Sequence, residues 1–490
     1  AVGGTSLLSN TTGTRNTGIG YFALGANTTA NDNTAIGYGA LDNSTTGSNN
    51  TAVGSAALDA NTSGARNTAV GTNALDANTT ANNNTAVGYD ALGANTTGTE
   101  NVAVGQGALG ASTTASYNTA VGREALGAST TGTANTAMGQ SAGITQTTAS
   151  GCTFIGTNAG RTNNTNDNVA VGQGALYSNT TGQYNTAVGP GQYGVTQGPL
   201  GSNTTGAYNT AVGAKALLGN TTGIKNTAVG TNALLVNTAD GNVAVGYDAV
   251  QANTSGTGVV AVGPWCLQGN TTGSFNTAVG RSGLYANTTG ACNTAMGRNA
   301  LSSNTTGNDN TALGIYAIGA NTTASRNVGV GNSALAAATT GGENTAVGEQ
   351  ALKSLTTGTL NTAVGRHALT KQTTASNNTA VGAYACRYND NATGCTAVGL
   401  EALRGTSDGT PLSGNYNTAV GRSALKINTT GNENTALGAN AGDGCTTGYR
   451  NIYVGRDAAN THATGYAGVY VGENCESSST SVDVENVFGA

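Results

Sequence analysis

Two histidines, seven cysteines and 23 acidic residues are among the side chains in this 490-residue sequence that could support acid–base, nucleophilic or metal chemistry. The histidines, His367 and His462, are far apart in the chain, so neither a metal-binding pair nor a catalytic dyad is available locally. We interpret both as surface substitutions. The acidic residues are dispersed, whereas a depolymerase pocket needs clustered carboxylates. The sequence therefore predicts no catalytic residue, no metal ligand, no cofactor and no enzymatic activity.

One nucleotide-binding pattern occurs, because Gly105-Gln-Gly107-Ala-Leu-Gly110 matches G-x-G-x-x-G after a predicted strand. No helix is predicted to follow and to offer its N-terminus to a phosphate, so we reject a nucleotide site. Calcium-binding β-rolls need Asp at a fixed place in a Gly-Gly-x-Gly-x-Asp pattern. Aspartates such as Asp59 and Asp76 occupy variable places, which argues against a calcium roll.

Asparagine provides a further kind of candidate site, because many copies of Asn-Thr-Thr match the sequon for N-linked glycosylation. Acceptors at a regular spacing would decorate a fibre along one line. The alternative, which we favour, is that these asparagines stack as amide ladders that satisfy backbone groups at the turns. The possible glycan acceptors are Asn10, Asn27, Asn61, Asn78, Asn95, Asn179, Asn203, Asn220, Asn253, Asn270, Asn287, Asn304, Asn321 and Asn428.

All these residues belong to one repeat. The phrase Asn-Thr-Ala-Val-Gly, as at Asn50 to Gly54, returns every 17 residues, and a full unit reads N-T-A-V-G-x-x-A-L-x-x-N-T-T-G-x-x. We number its positions 1 to 17 from the first Asn. A period this short indicates one array that grows by stacking, not several domains with separate cores.

The pattern within one unit predicts its local structure. Thr-Ala-Val alternates like a half-buried strand, Gly-x-x is a turn, and no window carries a helical stripe. The invariant Gly at position 5 predicts a positive φ or an approach too close for a Cβ. We expect Thr and Val to face the core and the Ala between them to face outward, where a small side chain would suit close packing between chains.

The predicted fold class is therefore all-β, a parallel β-solenoid of about 29 stacked rungs, each rung being one 17-residue unit. Residues 1–472 form the solenoid, and residues 473–490 form a degenerate terminal rung or a transition to a cap. Insertions near 190–202 and 405–414 hold three of the four prolines, so we expect loops that leave the stack. They are neutral insertions or, alternatively, ligand-contacting loops.

Composition limits the partners. The net charge of −5 is small for this length, which predicts no nucleic-acid partner, and no apolar run is long enough for membrane insertion. No two cysteines occupy the same position in consecutive rungs, so we expect isolated thiols. The chain opens at Ala1 within a repeat, and we expect it to be a portion of a longer protein.

The phrase N-T-A-V-G-x-x-A-L followed by N-T-T-G, and Asn101-Val-Ala-Val-Gly105 in particular, resembles repeats in the heads of trimeric autotransporter adhesins and in phage tail-fibre-like proteins. The resemblance implies a left-handed β-roll, self-association as a homotrimer, and a structural or adhesive shaft outside the cell, on the cell surface or on a virion. A cell-surface glycan or another surface ligand is a possible partner.

The alternative function is a surface-binding solenoid, either ice-binding or glycan-binding, or a glycosylated fibril. Ice binding needs an exposed rank of threonines, whereas a shaft needs only a continuous core and a seam between chains. By the predicted direction of the strand, the regular Thr at position 2 is buried.

Overall fold

The computed structural model describes residues 1–191, 197–406, 412–476, 478–481 and 483–489. These residues form 28 strands of three residues each and no helix. A helix long and apolar enough to cross a bilayer is accordingly not found in the described ranges. The chain divides into two compact units, Ala1–Val245 and Gly246–Ala490.

The first unit contains strands β1 to β14. Their bounds are β1 Thr17–Ile19, β2 Thr34–Ile36, β3 Thr51–Val53, β4 Thr68–Val70, β5 Thr85–Val87, β6 Val102–Val104, β7 Thr119–Val121, β8 Thr136–Met138, β9 Thr153–Ile155, β10 Val169–Val171, β11 Thr186–Val188, β12 Thr210–Val212, β13 Thr227–Val229 and β14 Val243–Val245.

The second unit contains strands β15 to β28. Their bounds are β15 Val260–Val262, β16 Thr277–Val279, β17 Thr294–Met296, β18 Thr311–Leu313, β19 Val328–Val330, β20 Thr345–Val347, β21 Thr362–Val364, β22 Thr379–Val381, β23 Thr396–Val398, β24 Thr418–Val420, β25 Thr435–Leu437, β26 Ile452–Val454, β27 Val469–Val471 and β28 Asn486–Phe488.

Within each unit, every strand pairs in parallel with the strand of the next rung. The register aligns the same repeat position in neighbouring rungs, so that Ala52 pairs with Ala69 and Val53 with Val70. An isolated bridge between Val2 and Ile19 adds the strand position of one more repeat before β1. The prediction of a parallel β-solenoid with a 17-residue rung is therefore confirmed, and the 28 strands compare with about 29 predicted rungs.

The predicted direction of the strand side chains is wrong. Ala52 at position 3 is fully buried, whereas Thr51 and Val53 on either side of it are partly exposed. The core of a typical rung is narrow. It consists of Ala at positions 3 and 8, Leu at position 9, and the asparagines at positions 1 and 12. A β-strand turns alternate side chains to opposite faces, so burying the alanine places Thr and Val outside.

The narrow core explains two exceptions at position 3. Phe154 replaces the alanine, and Gly143 and Gly160 replace the position-9 leucine in its own and the preceding rung. A Cβ on Gly143 would lie 2.8 Å from Cδ2 of Phe154, so the ring fills the space that the leucines vacate. Tyr453 uses Gly442 in the same way, with a Cβ-to-ring distance of 2.6 Å. In both places a larger ring at position 3 goes with a smaller residue at position 9, so the two positions share one packed core.

The backbone of a rung turns its corners with residues in the left-handed region. In the rung that starts at Asn84, these are Gly88 at φ 137°, Asp90 at 55°, Leu92 at 54° and Glu100 at 59°. The N–H of Asp90 donates to the preceding rung, whereas the N–H of Leu92 donates to the following one. Both parts of the glycine prediction are confirmed, because a Cβ on Gly88 would also lie 2.6 Å from the carbonyl oxygen of Gly105.

The predicted insertions fall partly outside the described residues, which omit 192–196 and 407–411. Their flanks belong to the stack. The N–H of Gly198 donates to the carbonyl of Gly174 at 2.8 Å, and Leu200 is fully buried as the position-9 leucine of its rung. Leu412 is fully buried and forms a parallel bridge with Asn389 at position 12.

At the C-terminus, β28 pairs in parallel with β27 and keeps the register of the repeat. The division into residues 1–472 and 473–490 stays a prediction.

Candidate functional surfaces

The outer face of the strands carries two parallel ranks of side chains in each unit. Position 2 supplies Thr or Val and position 4 supplies Val, Ile, Leu or Met, and neighbours in a rank lie one rung apart, about 4.8 Å. The apolar rank is open to solvent, with exposed fractions of 41% for Ile19, 36% for Val87 and 46% for Leu313. We name these two ranks the Thr–Val face.

Two amide ladders run through the interior and are fully buried. At position 1, the backbone N–H of Asn67 donates to Oδ1 of Asn50 at 2.9 Å, and the Asn67 side-chain amide donates to the carbonyl of Ala81 at 2.9 Å. At position 12, the Asn78 amide donates to Oδ1 of Asn61 at 2.8 Å and to the same Ala81 carbonyl at 3.2 Å. In rungs that carry both asparagines, the two ladders thus satisfy backbone groups at one corner, as predicted.

This arrangement bears on the possible glycan acceptors, which stay a prediction. A buried amide in a ladder cannot carry a sugar unless its rung opens, so the fold and a glycan at that position exclude each other. Asn10, at the first position-12 site, is exposed. The remaining thirteen acceptors have no exposed surface: Asn27, Asn61, Asn78, Asn95, Asn179, Asn203, Asn220, Asn253, Asn270, Asn287, Asn304, Asn321 and Asn428.

The prediction that the histidines are surface substitutions is wrong for His462. His462 takes the place of the position-12 asparagine, is fully buried, and has its Nδ1 2.9 Å from the hydroxyl oxygen of Tyr453. Burial, followed by the nearby Cys445, raises the pKa of Tyr453 far above its ordinary value. His367 is partly exposed and stacks on Tyr384, with ring centroids 5.4 Å apart. The two histidines are not brought together.

The prediction of isolated thiols is confirmed, because all seven cysteines are free. Six are buried and Cys292 is exposed. Burial raises the pKa of Cys152, Cys395 and Cys445 to about 11, which keeps these three thiols protonated and unreactive at neutral pH.

Three aspartates lie close together at position 10, a variable position of the repeat. Asp42, Asp59 and Asp76 occupy position 10 of three consecutive rungs. Burial raises the pKa of all three, and the charges of Asp42 and Asp76 raise that of Asp59 further. Among the described residues, no group of three or more His, Cys, Asp or Glu side chains has the geometry of a metal site.

Two shallow surface grooves of about 350 Å³ each follow the corners of the rungs. Glu343 is the only carboxylate that lines the first, and it pairs with Arg326 at 2.6 Å. Asn, Thr and Gln side chains line the second. Neither groove holds the pair of carboxylates that glycoside hydrolysis requires. The segment from Gly105 to Gly110 is a turn of the rung and not the start of a helix.

No protein-family model and no curated protein matches this sequence.

Proposed function

We propose that this protein is a non-enzymatic structural fibre or adhesin-like shaft outside the cell, in which several copies, by resemblance three, associate through the Thr–Val face. The observation that carries this proposal is the exposed apolar rank at position 4, which recurs in rung after rung of each unit.

The composition of that rank argues for a protein partner. Soluble monomers rarely leave a long contiguous apolar surface in water, and such surfaces mark interaction sites. Burying a Val or Ile side chain contributes on the order of 1.5–3 kcal/mol. A rank with one such side chain in each rung gives an association energy that grows with the number of rungs.

A second copy of the chain is the partner that fits best, because the spacing of the rank is the spacing of the solenoid itself. An identical solenoid presents the same rank with the same period of about 4.8 Å, so that contacts repeat in register over many rungs. Trimer formation and the extracellular location follow from the resemblance of the repeat to adhesin heads and tail fibres.

A structural role also suits the interior. The rungs are held by backbone hydrogen bonds to their neighbours and, where asparagine occupies positions 1 and 12, by the two amide ladders. These bonds use neutral groups, so they do not depend on salt or on the titration of side chains between pH 5 and 8. Stability is distributed along the repeat, as in other repeat proteins.

The test is the solution mass of the purified chain by light scattering, compared with 47.7 kDa for one copy. A mass near three times that value, unchanged on dilution to nanomolar concentration, is the expected result. A mass of one copy at all concentrations would overturn self-association through this face.

The outward direction of the position-2 side chains supports a second candidate function. The position-2 threonines face outward and stack in register, as where Thr51 pairs with Thr68 and Thr68 with Thr85. An exposed threonine rank is the feature that an ice-binding solenoid needs, but assembly through the Thr–Val face would cover it. A chain with the mass of one copy should therefore be tested for thermal hysteresis, and a trimer should show none.

A further inference from the structure

Positive charge is concentrated on one surface of the second unit, although the whole chain is acidic. Seven of the 18 Lys and Arg residues lie between residues 353 and 426, in five consecutive rungs. All seven occupy positions 6, 10 or 11, in the segment that follows the strand. We name this set the basic strip, and it consists of Lys353, Arg366, Lys371, Arg387, Arg404, Arg422 and Lys426.

The basic strip is only partly neutralised. Glu401 pairs with both Arg404 and Lys426 at 2.9 Å, and Glu349 pairs with Arg366 at 3.2 Å. The other four cations, Lys353, Lys371, Arg387 and Arg422, form no ion pair with any described residue. Asp443, close to Lys426, marks the C-terminal end of the strip.

Aromatic rings hold part of the strip in place. The guanidinium of Arg387 lies 5.0 Å from the ring centroids of both Tyr384 and Tyr388. Arg366 donates to the Tyr384 hydroxyl at 2.9 Å, and His367 stacks on the Tyr384 ring. Burial, followed by the charges of Arg387 and Arg366, lowers the pKa of His367, which is consistent with a positive potential at this surface. Arg366 and Arg387 are thus preorganised by cation–π contacts.

We propose that the basic strip binds a linear acidic polysaccharide, one with carboxylate or sulfate groups along its chain. Arg387 and Arg404 occupy position 10 of adjacent rungs, about 4.8 Å apart, and Lys353 lies two rungs before Arg387. Cations in consecutive rungs along the solenoid suit a polymer that carries a charge on each sugar or on every second one. The strip lies at positions 6, 10 and 11 and the Thr–Val face at positions 2 and 4, so different substitutions test the two proposals.

The aromatic rings argue against single-stranded nucleic acid as the polymer. Proteins that bind single strands stack bases on open aromatic faces. Here His367 stacks on Tyr384, and Arg387 lies over both Tyr384 and Tyr388. A base would have to displace these side chains, whereas carboxylate or sulfate groups are attracted to the guanidinium and ammonium groups where they stand.

The experiment measures binding of the full chain to dextran sulfate and to polygalacturonate by biolayer interferometry, with neutral dextran as the reference polymer. The test variant combines Lys353→Gln, Lys371→Gln, Arg387→Gln and Arg422→Gln. The control variant combines Arg66→Gln, Arg123→Gln, Lys215→Gln and Lys225→Gln in the first unit, so that both variants lose the same charge.

We expect at least a tenfold loss of affinity for the acidic polymers in the test variant and less than a threefold loss in the control, with binding of the parent chain weakening steeply between 50 and 500 mM salt. Equal losses in both variants, or equal binding of neutral dextran, would overturn the proposal. So would tighter binding to a single-stranded oligonucleotide or to anionic lipid vesicles than to either polysaccharide. The light-scattering mass of both variants should match that of the parent. A loss of polysaccharide binding can then be distinguished from a loss of self-association.

Discussion

The buried side-chain carbonyl oxygen of Asn27 has no hydrogen-bond partner, because Ser44 occupies the place one rung later from which an asparagine would donate. The same relationship recurs at Asn95, which Ser112 follows, and at Asn321, which Ala338 follows. At these three breaks in the position-12 ladder, the rung before the break keeps an unpaired oxygen. An unsatisfied buried acceptor costs about 1–3 kcal/mol, so these breaks are local weak points.

Replacing Ser44 by asparagine should join Asn27 to Asn61 and stabilise these rungs by about 1–3 kcal/mol. The new side-chain amide would donate to Asn27, and its carbonyl oxygen would accept from Asn61, as Asn61 accepts from Asn78. Hydrogen exchange of the backbone amides between residues 27 and 64 measures the local opening free energy, which suits a repeat protein better than a single global transition.

The matched control is Asn78→Ser, which introduces the same kind of break into an intact stretch. It removes the bonds of Asn78 to Asn61 and of Asn95 to Asn78, at 2.8 and 3.0 Å. Exchange in the flanking rungs should become faster by a comparable free energy. Unchanged protection in both variants would show that the ladder contributes nothing to stability.

Gly88→Ala should destabilise its rung by at least 2 kcal/mol. The residue has φ 137°, where an L side chain is strained by about 1–3 kcal/mol, and the new Cβ would lie 2.6 Å from the Gly105 carbonyl oxygen in the next rung. Gly110→Ala is the control, because Gly110 has no positive φ, a new Cβ there would lie 3.3 Å from its nearest neighbour, and other rungs carry side chains at the same position, as at Asp76 and Ile144. It should cost less than about 1 kcal/mol. Equal effects on thermal unfolding would contradict the assignment of strain to position 5.

Asp59→Asn should stabilise the first unit at pH 7 and have little effect at pH 3. Burial and the charges of Asp42 and Asp76 raise the pKa of Asp59, so the folded state binds its proton more tightly than the unfolded state does. The free energy of unfolding therefore falls as the pH rises from the ordinary carboxyl pKa through the raised one, and the loss persists at neutral pH. Asparagine has nearly the same size and no charge, so the variant does not lose this free energy of unfolding at neutral pH.

Thermal midpoints at the two pH values measure this effect. Asp309→Asn is the control, because Cys292 and Arg326, not carboxylates, occupy the same position in the rungs before and after it. That variant should not gain stability at pH 7. An Asp59→Asn variant with the same gain at pH 3 as at pH 7 would show that the effect is not electrostatic.

The fold was predictable from the sequence because its period is strict. A period of 17 residues, an invariant Gly and regularly placed asparagines led to the parallel stack, the crowded glycine and the amide ladders. The direction of the strand was not obtained, because Thr-Ala-Val alternates equally well with either face inward, and the larger side chains were assigned to the core by default.

One signal in the sequence could have settled that direction. Phe154 stands where other rungs have alanine, and the leucine at position 9 becomes Gly143 and Gly160 in its own and the preceding rung. Such an exchange of volume is needed only if positions 3 and 9 share a core. The basic strip was missed because net charge was counted over the whole chain, whereas the repeat aligns distant cations on one surface.

The Thr–Val face provides the decisive test of assembly. Combining Ile36→Lys, Val70→Lys and Val212→Lys places three charges on the apolar rank, whose exposed fractions at these positions are 38%, 36% and 37%. Because these side chains already contact water in a single chain, the rungs should fold normally, but a desolvated lysine in the seam would cost several kcal/mol at each site. We expect the mass measured by light scattering to fall to that of one copy, with an unchanged circular dichroism spectrum.

The control for that variant places the same three charges elsewhere in the first unit, as Thr29→Lys, Ser63→Lys and Thr205→Lys at exposed position-14 corners. Its mass should equal that of the parent chain, because these corners lie outside the Thr–Val face. Dissociation of both variants would mean that added charge alone separates the copies. A parent-like mass for the Thr–Val variant would mean that the copies meet through another surface, and would leave the outward threonines free to bind ice.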